Sequence, residues 1–299
     1  MKRIRCALLL GLCLLQTACG RAPGTAVQAA AEPSAPPPAP TAATPAPYEE
    51  VPVYYNGLLS DRGYRQGGVI WVSPAALAAL FDLDFSQELQ AETYTLNISG
   101  VELRGQAGQD YALAESRCLY TPGGFLTVDG QVYLPAEAAA HLFGLGVTVD
   151  PEAPAVKLDV SRVELLHGSG DYYAMHYPVE DLYWLSHIIQ AEAGQQPLAG
   201  QIGVGNVVLN RVKSPDFPDS IREVVTQRND TIAQFYPVAS GSIHNPVDDP
   251  AMLAACLCLE GYSTVGESLY FLNPSLADNS WFESARDFAV SIGDHDFYT

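Results

Sequence analysis

Apolar and polar positions alternate along this chain with two different periods, and the change between them divides it. Between residues 50 and 165 apolar positions recur at every second residue in short runs, as at Leu96 and Ile98 or Leu158 and Val160, the period of half-buried strands. That stretch also repeats itself. Sliding the chain by 62 positions lays Ile70-Trp71-Val72 over Val132-Tyr133-Leu134, Leu80-Phe81 over Leu142-Phe143, and Leu83 over Leu145. Each copy reads as a short strand, an Ala-rich helix led by proline (Pro74 to Leu80, Pro135 to Leu142) and further strands.

From Asp181 the period becomes helical: Leu182, Leu185, Ile188 and Ile189 share one face of a helix that Gly194 closes. A second helix, Leu198 to Val212, carries Ala199, Gly200, Gly203 and Gly205, which admit a neighbouring backbone at close range, and Ser214-Pro215 ends it. Pro250, at the first helical position after Asp248 and Asp249, opens a third. A capping box at Ser280-Trp-Phe-Glu283 opens a last helix, with Trp281, Ala285, Phe288 and Ile292 on its buried face before Gly293. Between them Leu269 to Leu272 reads as a short strand, and the long loop from Gln227 to Asp249 is a natural wall for a cleft. The expectation is an α+β chain of two domains, a duplicated strand-helix-strand unit over 50–165 and a mostly helical unit over 175–299, with a hinge at Gly168-Ser-Gly170.

Two N-terminal segments stand outside that scheme. Met1 to Arg5 is basic and precedes the apolar run Cys6 to Leu15, so residues 1–20 read as an export signal too short to span a membrane stably. Leu14-Leu-Gln-Thr-Ala-Cys19 resembles a bacterial lipoprotein signal, which would leave Cys19 as the lipidated N-terminus; Gln16 departs from that pattern, and cleavage near Ala18 or Ala22 with free secretion is the alternative. Residues 21–49 are rich in Ala and Pro, as in Ala35-Pro-Pro-Pro-Ala-Pro40, and form a semi-rigid tether.

Charge narrows the partners. With 15 Lys plus Arg against 34 Asp plus Glu, the net charge of −19 argues against nucleic acid or an anionic membrane surface as the main partner. No metal or cofactor is implied, since no two of the six histidines have zinc-motif spacing and Gly200-Gln-Ile-Gly203-Val-Gly205 follows no strand. Ser242 lacks the frame of a serine nucleophile. Cys118, Cys256 and Cys258 suggest neither a zinc site nor a disulfide framework.

One charge violates the pattern around it. On a helical wheel Glu192 falls between Ile188 and Ile189, in the middle of the apolar face. Desolvation there, and the negative end of the helix, both raise the pKa of a carboxyl group. A carboxylic acid still protonated near neutrality is what a general acid needs to protonate a leaving oxygen. A frayed helix end that turns Glu192 to water is the other reading of the same position.

Residues 182–298 resemble the cell wall hydrolase family typified by the spore cortex-lytic enzyme SleB. The matching segments, in order, are Ala191-Glu192-Ala193, Gly200-Gln-Ile, Val207-Val-Leu-Asn-Arg-Val212 with Phe217-Pro218, Gln234-Phe235, Gly241-Ser-Ile, Tyr270 with Asn273-Pro274, and Ile292-Gly-Asp-His295-Asp-Phe-Tyr298. The resemblance implies a lysozyme-like helical fold and cleavage of the β-1,4 bond between N-acetylmuramic acid and N-acetylglucosamine in peptidoglycan, with Glu192 as the catalytic acid. In the lytic transglycosylase form of this chemistry the same residue then draws the proton from the sugar's 6-hydroxyl, closing a 1,6-anhydro ring. A hydrolase would need a second carboxylate, for which Glu223, Asp230, Asp248 and Glu267 qualify by type alone. The family positions Gln234, Phe235, Tyr270 and Asn273 fall to substrate binding: Gln234, Tyr270 and Asn273 by hydrogen bonds to the sugar and Phe235 by packing under a ring, although Asn273 also suits a turn before Pro274. Asn210 and Arg211 divide between holding the fold and touching substrate, and His295 reads as a structural imidazole. Family members often carry an acid soon after the catalytic residue, where this chain has Gln196.

The first unit resembles the copper amine oxidase N-terminal-like domain of secreted bacterial proteins, although His141 is its one strong copper ligand, so it implies a non-catalytic stalk or wall-binding module whose Tyr54, Tyr55 and Tyr64 could stack on sugars or simply pack. The expected protein is an exported peptidoglycan-cleaving enzyme, tethered through Cys19 or associated with the wall. The alternative is a catalytically impaired peptidoglycan-binding wall protein, motivated by Gln196.

Overall fold

Dipeptides that turn a chain sharply punctuate the first half. Asn56-Gly57, at φ +48° and +81°, and Asp129-Gly130, at φ +50° and +76°, are the two-residue turns that match the twist of antiparallel strands. They join β1 (Glu49–Tyr55) to β2 (Leu58–Gln66) and β9 (Leu126–Val128) to β10 (Gln131–Pro135). The structure is a computed structural model, and it describes residues 48–150, 155–166, 177–228, 234–275 and 285–299. The export signal, Cys19, most of the tether, the Gly168-Ser-Gly170 hinge, Asp230 and the Ser280 to Glu283 capping box lie outside the described residues.

Between these hairpins run β3 (Val69–Val72), α1 (Pro74–Leu80), β4 (Phe85–Gln90), β5 (Thr93–Ile98), β6 (Val101–Gln106), β7 (Tyr111–Ala114) and β8 (Arg117–Tyr120); after them come α2 (Ala136–Phe143), β11 (Gly146–Asp150) and β12 (Ala155–Asp159). One sheet has the order β11-β12-β1-β2-β3-β10-β9 and a second the order β4-β5-β6-β7-β8. In the second sheet Leu96 pairs with Leu103 and Ile98 with Val101, so these apolar side chains share one face, and all four are buried. β3, α1, β4 and β5 begin at 69, 74, 85 and 93, while β10, α2, β11 and β12 begin at 131, 136, 146 and 155. The two runs end in different sheets: β4 and β5 open the five-stranded sheet, whereas β11 and β12 form the edge of the seven-stranded one. Tyr55 is buried and Tyr64 packs edge-on to Tyr133 at 4.9 Å, so these rings serve packing.

The second half is built from α3 (Val179–Ala193), α4 (Leu198–Lys213), α5 (Ile221–Thr226), α6 (Tyr236–Ser240), a 3-10 turn (Ser242–His244) and α7 (Asp249–Leu259), followed by β13 (Tyr270–Leu272), β14 (Phe288–Ile292) and β15 (His295–Tyr298). Asp248 caps α7, its Oδ1 accepting the Ala251 amide at 3.1 Å, which puts Pro250 at the second helical position rather than the first. The last element is not a helix. Phe288 to Ile292 form a strand in the sheet β13-β15-β14, because Phe288, Val290 and Ile292 also satisfy period two, and Gly293, φ +61°, turns the chain so that Ile292 pairs with His295.

The halves meet on one carboxylate. The Glu260 side chain, at the end of α7, is 0% exposed. Arg117 reaches it with both arms, Nε to Oε1 at 2.9 Å and Nη2 to Oε2 at 2.5 Å; His141 Nε2 lies 3.1 Å from Oε2, and the Tyr177 hydroxyl donates to Oε1. Burial alone would raise the Glu260 pKa, but these donors and the Arg117 charge outweigh it and hold the carboxyl at about 2. The strand-rich half thus buttresses α7, which packs on α3 and α4.

Candidate active site

Helix α3 exists because its apolar residues recur at helical spacing, and Leu182, Leu185, Ile188 and Ile189 are all buried. Glu192 sits on the same face, in the last turn, half-buried. Among the described residues it has no hydrogen-bond or ion-pair partner, and burial raises its pKa above the ordinary carboxyl value. Gly194 does not take the left-handed conformation of a helix-ending glycine: its φ and ψ are −58° and −20°. What requires glycine there is space, since a Cβ would lie 2.6 Å from Gln190 Nε2 and 2.7 Å from the Gln190 carbonyl oxygen.

Helix α4 runs through the middle of this half. A Cβ on Gly203 would meet Phe297 at 2.8 Å, and one on Gly205 would meet Cys258 Sγ at 2.6 Å and Ile189 at 2.9 Å, so the small residues let α3, α7 and β15 close on it. Its polar residues read the backbone of the segment leading to β13. Asn206 donates to the Tyr262 carbonyl at 2.8 Å and accepts from the Thr264 amide at 3.0 Å. Asn210 donates to the carbonyls of Gly266 and Ser268, and Arg211 Nε to that of Leu269 at 2.8 Å. Together they fix the point at which Tyr270 enters.

Arg211 is buried in aromatic surroundings. Its guanidinium carbon lies 5.0 Å from the Phe217 ring centre, 5.3 Å from that of Phe235 and 5.5 Å from that of Tyr270, and Arg286 stands 4.0 Å over Tyr270. Desolvation pushes the Arg211 pKa down to about 10, and its Nη1 finds no hydrogen-bond acceptor among the described residues. The cation stays charged at neutral pH and ties the Phe235 loop to the Tyr270 strand.

The turn between α3 and α4 is tied to the C-terminal hairpin through Gln196, whose Nε2 donates to Asp294 Oδ2 at 3.1 Å and whose Oε1 accepts the Asp294 amide at 2.9 Å. An amide satisfies both contacts at once; a carboxylate could satisfy only the second.

Residues 195–298 match the cell wall hydrolase family. This part of the chain is a cell wall hydrolase domain. The spore cortex-lytic enzyme of Halalkalibacterium halodurans is 31% identical over 146 residues, 49% of this chain and 42% of that protein. The spore cortex-lytic enzyme of Bacillus subtilis is 32% identical over 117 residues, 39% and 37% of the two chains. The chain therefore matches about two fifths of the length of these relatives. Among solved structures, the catalytic domain of the germination-specific lytic transglycosylase SleB from Bacillus anthracis is 29% identical, with 42% of this chain and 98% of that one covered and a TM-score of 0.38. The family match begins three positions after Glu192, inside the turn that Gln196 holds.

Within the cell wall hydrolase domain the residues expected at the site fall into distinct positions. Phe235 and Tyr270 share Arg211, but Phe235 is 5% exposed, which leaves its ring no free face for a sugar. Gln234 is exposed, and its backbone amide bonds to the Gln227 carbonyl at 2.9 Å, drawing the two ends of the intervening loop together. Asn273 is half-buried and its Oδ1 accepts the Ser275 amide at 2.9 Å, the action of a turn former. His295 is buried beside Phe271, and burial lowers its pKa, which keeps the imidazole neutral. Of the other carboxylates, Asp248 caps α7, while Glu223 and Glu267 are exposed. The Arg211 cluster and the Gln196 to Asp294 link were not visible as such in the sequence; the one signal for the first was an arginine on the buried side of a helix full of glycines.

Proposed function

We propose that this protein cleaves the glycan strands of peptidoglycan at the β-1,4 bond between N-acetylmuramic acid and N-acetylglucosamine, with Glu192 as general acid and base. The observation that carries the reading is Glu192 itself: a half-buried carboxyl group on an apolar helix face, without a partner among the described residues, whose pKa is raised by desolvation. Desolvation makes such a group hold its proton more tightly than an ordinary carboxyl does, as a donor to a leaving oxygen must, and the carboxylate left behind can accept the proton of the muramic 6-hydroxyl. In that lytic transglycosylase cycle one residue does both transfers, and no second carboxylate is needed. Exposed Gln234, with Tyr270 in contact with both Arg211 and Arg286 and Asn273 following β13, would line the sugar site; buried Phe235 would act by holding Arg211. We further read residues 1–20 as an export signal, Cys19 as a lipid anchor, residues 21–49 as the tether, and residues 50–165 as a duplicated, non-catalytic wall-facing module.

The test is mass spectrometry of the products released from vegetative peptidoglycan and from spore cortex by the protein and by its Glu192→Gln variant. Muropeptides ending in 1,6-anhydro-muramic acid, reduced about 10²–10⁴-fold in the variant, are expected. Reducing muramic ends would replace the lyase with a hydrolase. Equal release by both proteins would overturn the role of Glu192.

A further inference from the structure

We propose that Cys118 and Cys256 form a disulfide that staples the strand-rich half of the chain to the cell wall hydrolase domain. Cys118 lies on β8 and Cys256 on α7, and these two elements pack together. Both side chains are half-buried, and each thiol lies close enough to the other to shift its ionisation. Their approach is held from outside the pair. Arg117, the residue before Cys118, grips Glu260, which lies one helical turn beyond Cys256, so the ion pair fixes the register of β8 on α7. Cys258 is the internal contrast: it is buried, and its thiol donates to the Ile202 carbonyl at 3.3 Å on the far side of α7.

The pair is also chemically asymmetric. The contact with Cys118 pulls the Cys256 pKa down against burial and the Glu260 charge, whereas Cys118 is pushed up by the same contact and by burial. In the exchange proposed, Cys256, whose thiolate this contact favours, attacks first. With a low-molecular-weight disulfide as oxidant, its sulfur bonds to one sulfur of the reagent and expels the other half as a thiolate. Cys118, losing its proton as it attacks, then bonds to Cys256 and expels the second half. Two protein thiols and one reagent disulfide become one protein disulfide and two reagent thiols. An exported protein meets such oxidants outside the cytoplasm. The bond would close a loop of roughly 140 residues, the length range in which constraint of the unfolded chain is largest.

The experiment uses the purified full-length protein incubated with oxidised glutathione, alkylated and digested for peptide mapping. The expected result is a linked peptide pair containing Cys118 and Cys256, two hydrogens lighter than its reduced form, and a Tm raised by on the order of 5–10 °C that falls back with dithiothreitol. Mapping the wild-type chain needs no variant to fold. Cys258→Ser is expected to keep the link and Cys256→Ser to lose it. Alkylation of both thiols after oxidation, stable glutathione adducts on them, or a link that uses Cys258 would each overturn the proposal. So would an oxidised form with an unchanged Tm, because the bond would then not staple anything.

Discussion

Replacing Glu260 by glutamine removes one charge from the buried cluster it forms with Arg117, His141 and Tyr177, and the cost can be worked out in two ways. The Glu260 carboxyl is held at about 2 against an ordinary 4.5, and a difference of about 2.5 units corresponds to roughly 3 kcal/mol of stability at neutral pH. Separately, breaking a buried ion pair by removing one partner costs about 3–5 kcal/mol, because the remaining charge, here Arg117 with 19% of its side chain exposed, loses its counterion. The two figures agree. For a folded region of this size each kcal/mol moves Tm by roughly 2–4 °C, so Glu260→Gln is expected to melt about 10 °C lower at pH 7. The sign of the pH dependence follows from the depressed pKa. The contribution of Glu260 is complete above about 4.5 and is lost as pH falls through about 2. Wild type and variant should therefore converge in urea midpoint and Tm between pH 5 and pH 2, since protonated Glu260 resembles glutamine. A gap below about 1 kcal/mol at pH 7, or one that stays constant down to pH 2, would refute the reasoning.

Three further outcomes follow from the site. Gln196→Glu should lose the bond to Asp294 Oδ2 and set two carboxylates against each other, lowering stability by about 1 kcal/mol, partly restored by salt; a more stable variant in thermal melts would contradict this. Gly205→Ala puts a Cβ 2.6 Å from Cys258 Sγ and 2.9 Å from Ile189, and is expected to cost about 1–3 kcal/mol in denaturant titrations, with an unchanged midpoint as the contrary result. Activity that depends on protonated Glu192 must fall as pH rises through its raised pKa, so the high-pH limb of kcat/KM should lie above 4.5; a limb at or below that value would count against Glu192 as the acid.

The features legible from the residues alone are local and periodic. The face of α3 is readable from four apolar residues, and Glu192 stands out because a charge in the middle of that face contradicts the pattern around it. The start of α7 is readable from Asp248 and the extent of α4 from its leucine start and Ser214 stop, because caps and breakers act over a few residues. Periodicity reports which face is buried and says nothing about what it is buried against. That is why the partners of Glu260, at positions 117, 141 and 177, the Gln196 to Asp294 link and the contact of Cys118 with Cys256 came only from the tertiary structure. The same limit explains Phe288 to Ile292, where helical and strand spacing are both satisfied and pairing with β15 decided for the strand, and Phe235, which is buried with its ring against the Arg211 guanidinium. Local propensity is settled within a turn or two of the chain, whereas these choices are settled by which distant groups satisfy a buried charge or fill a space, and that is known only once the chain has packed.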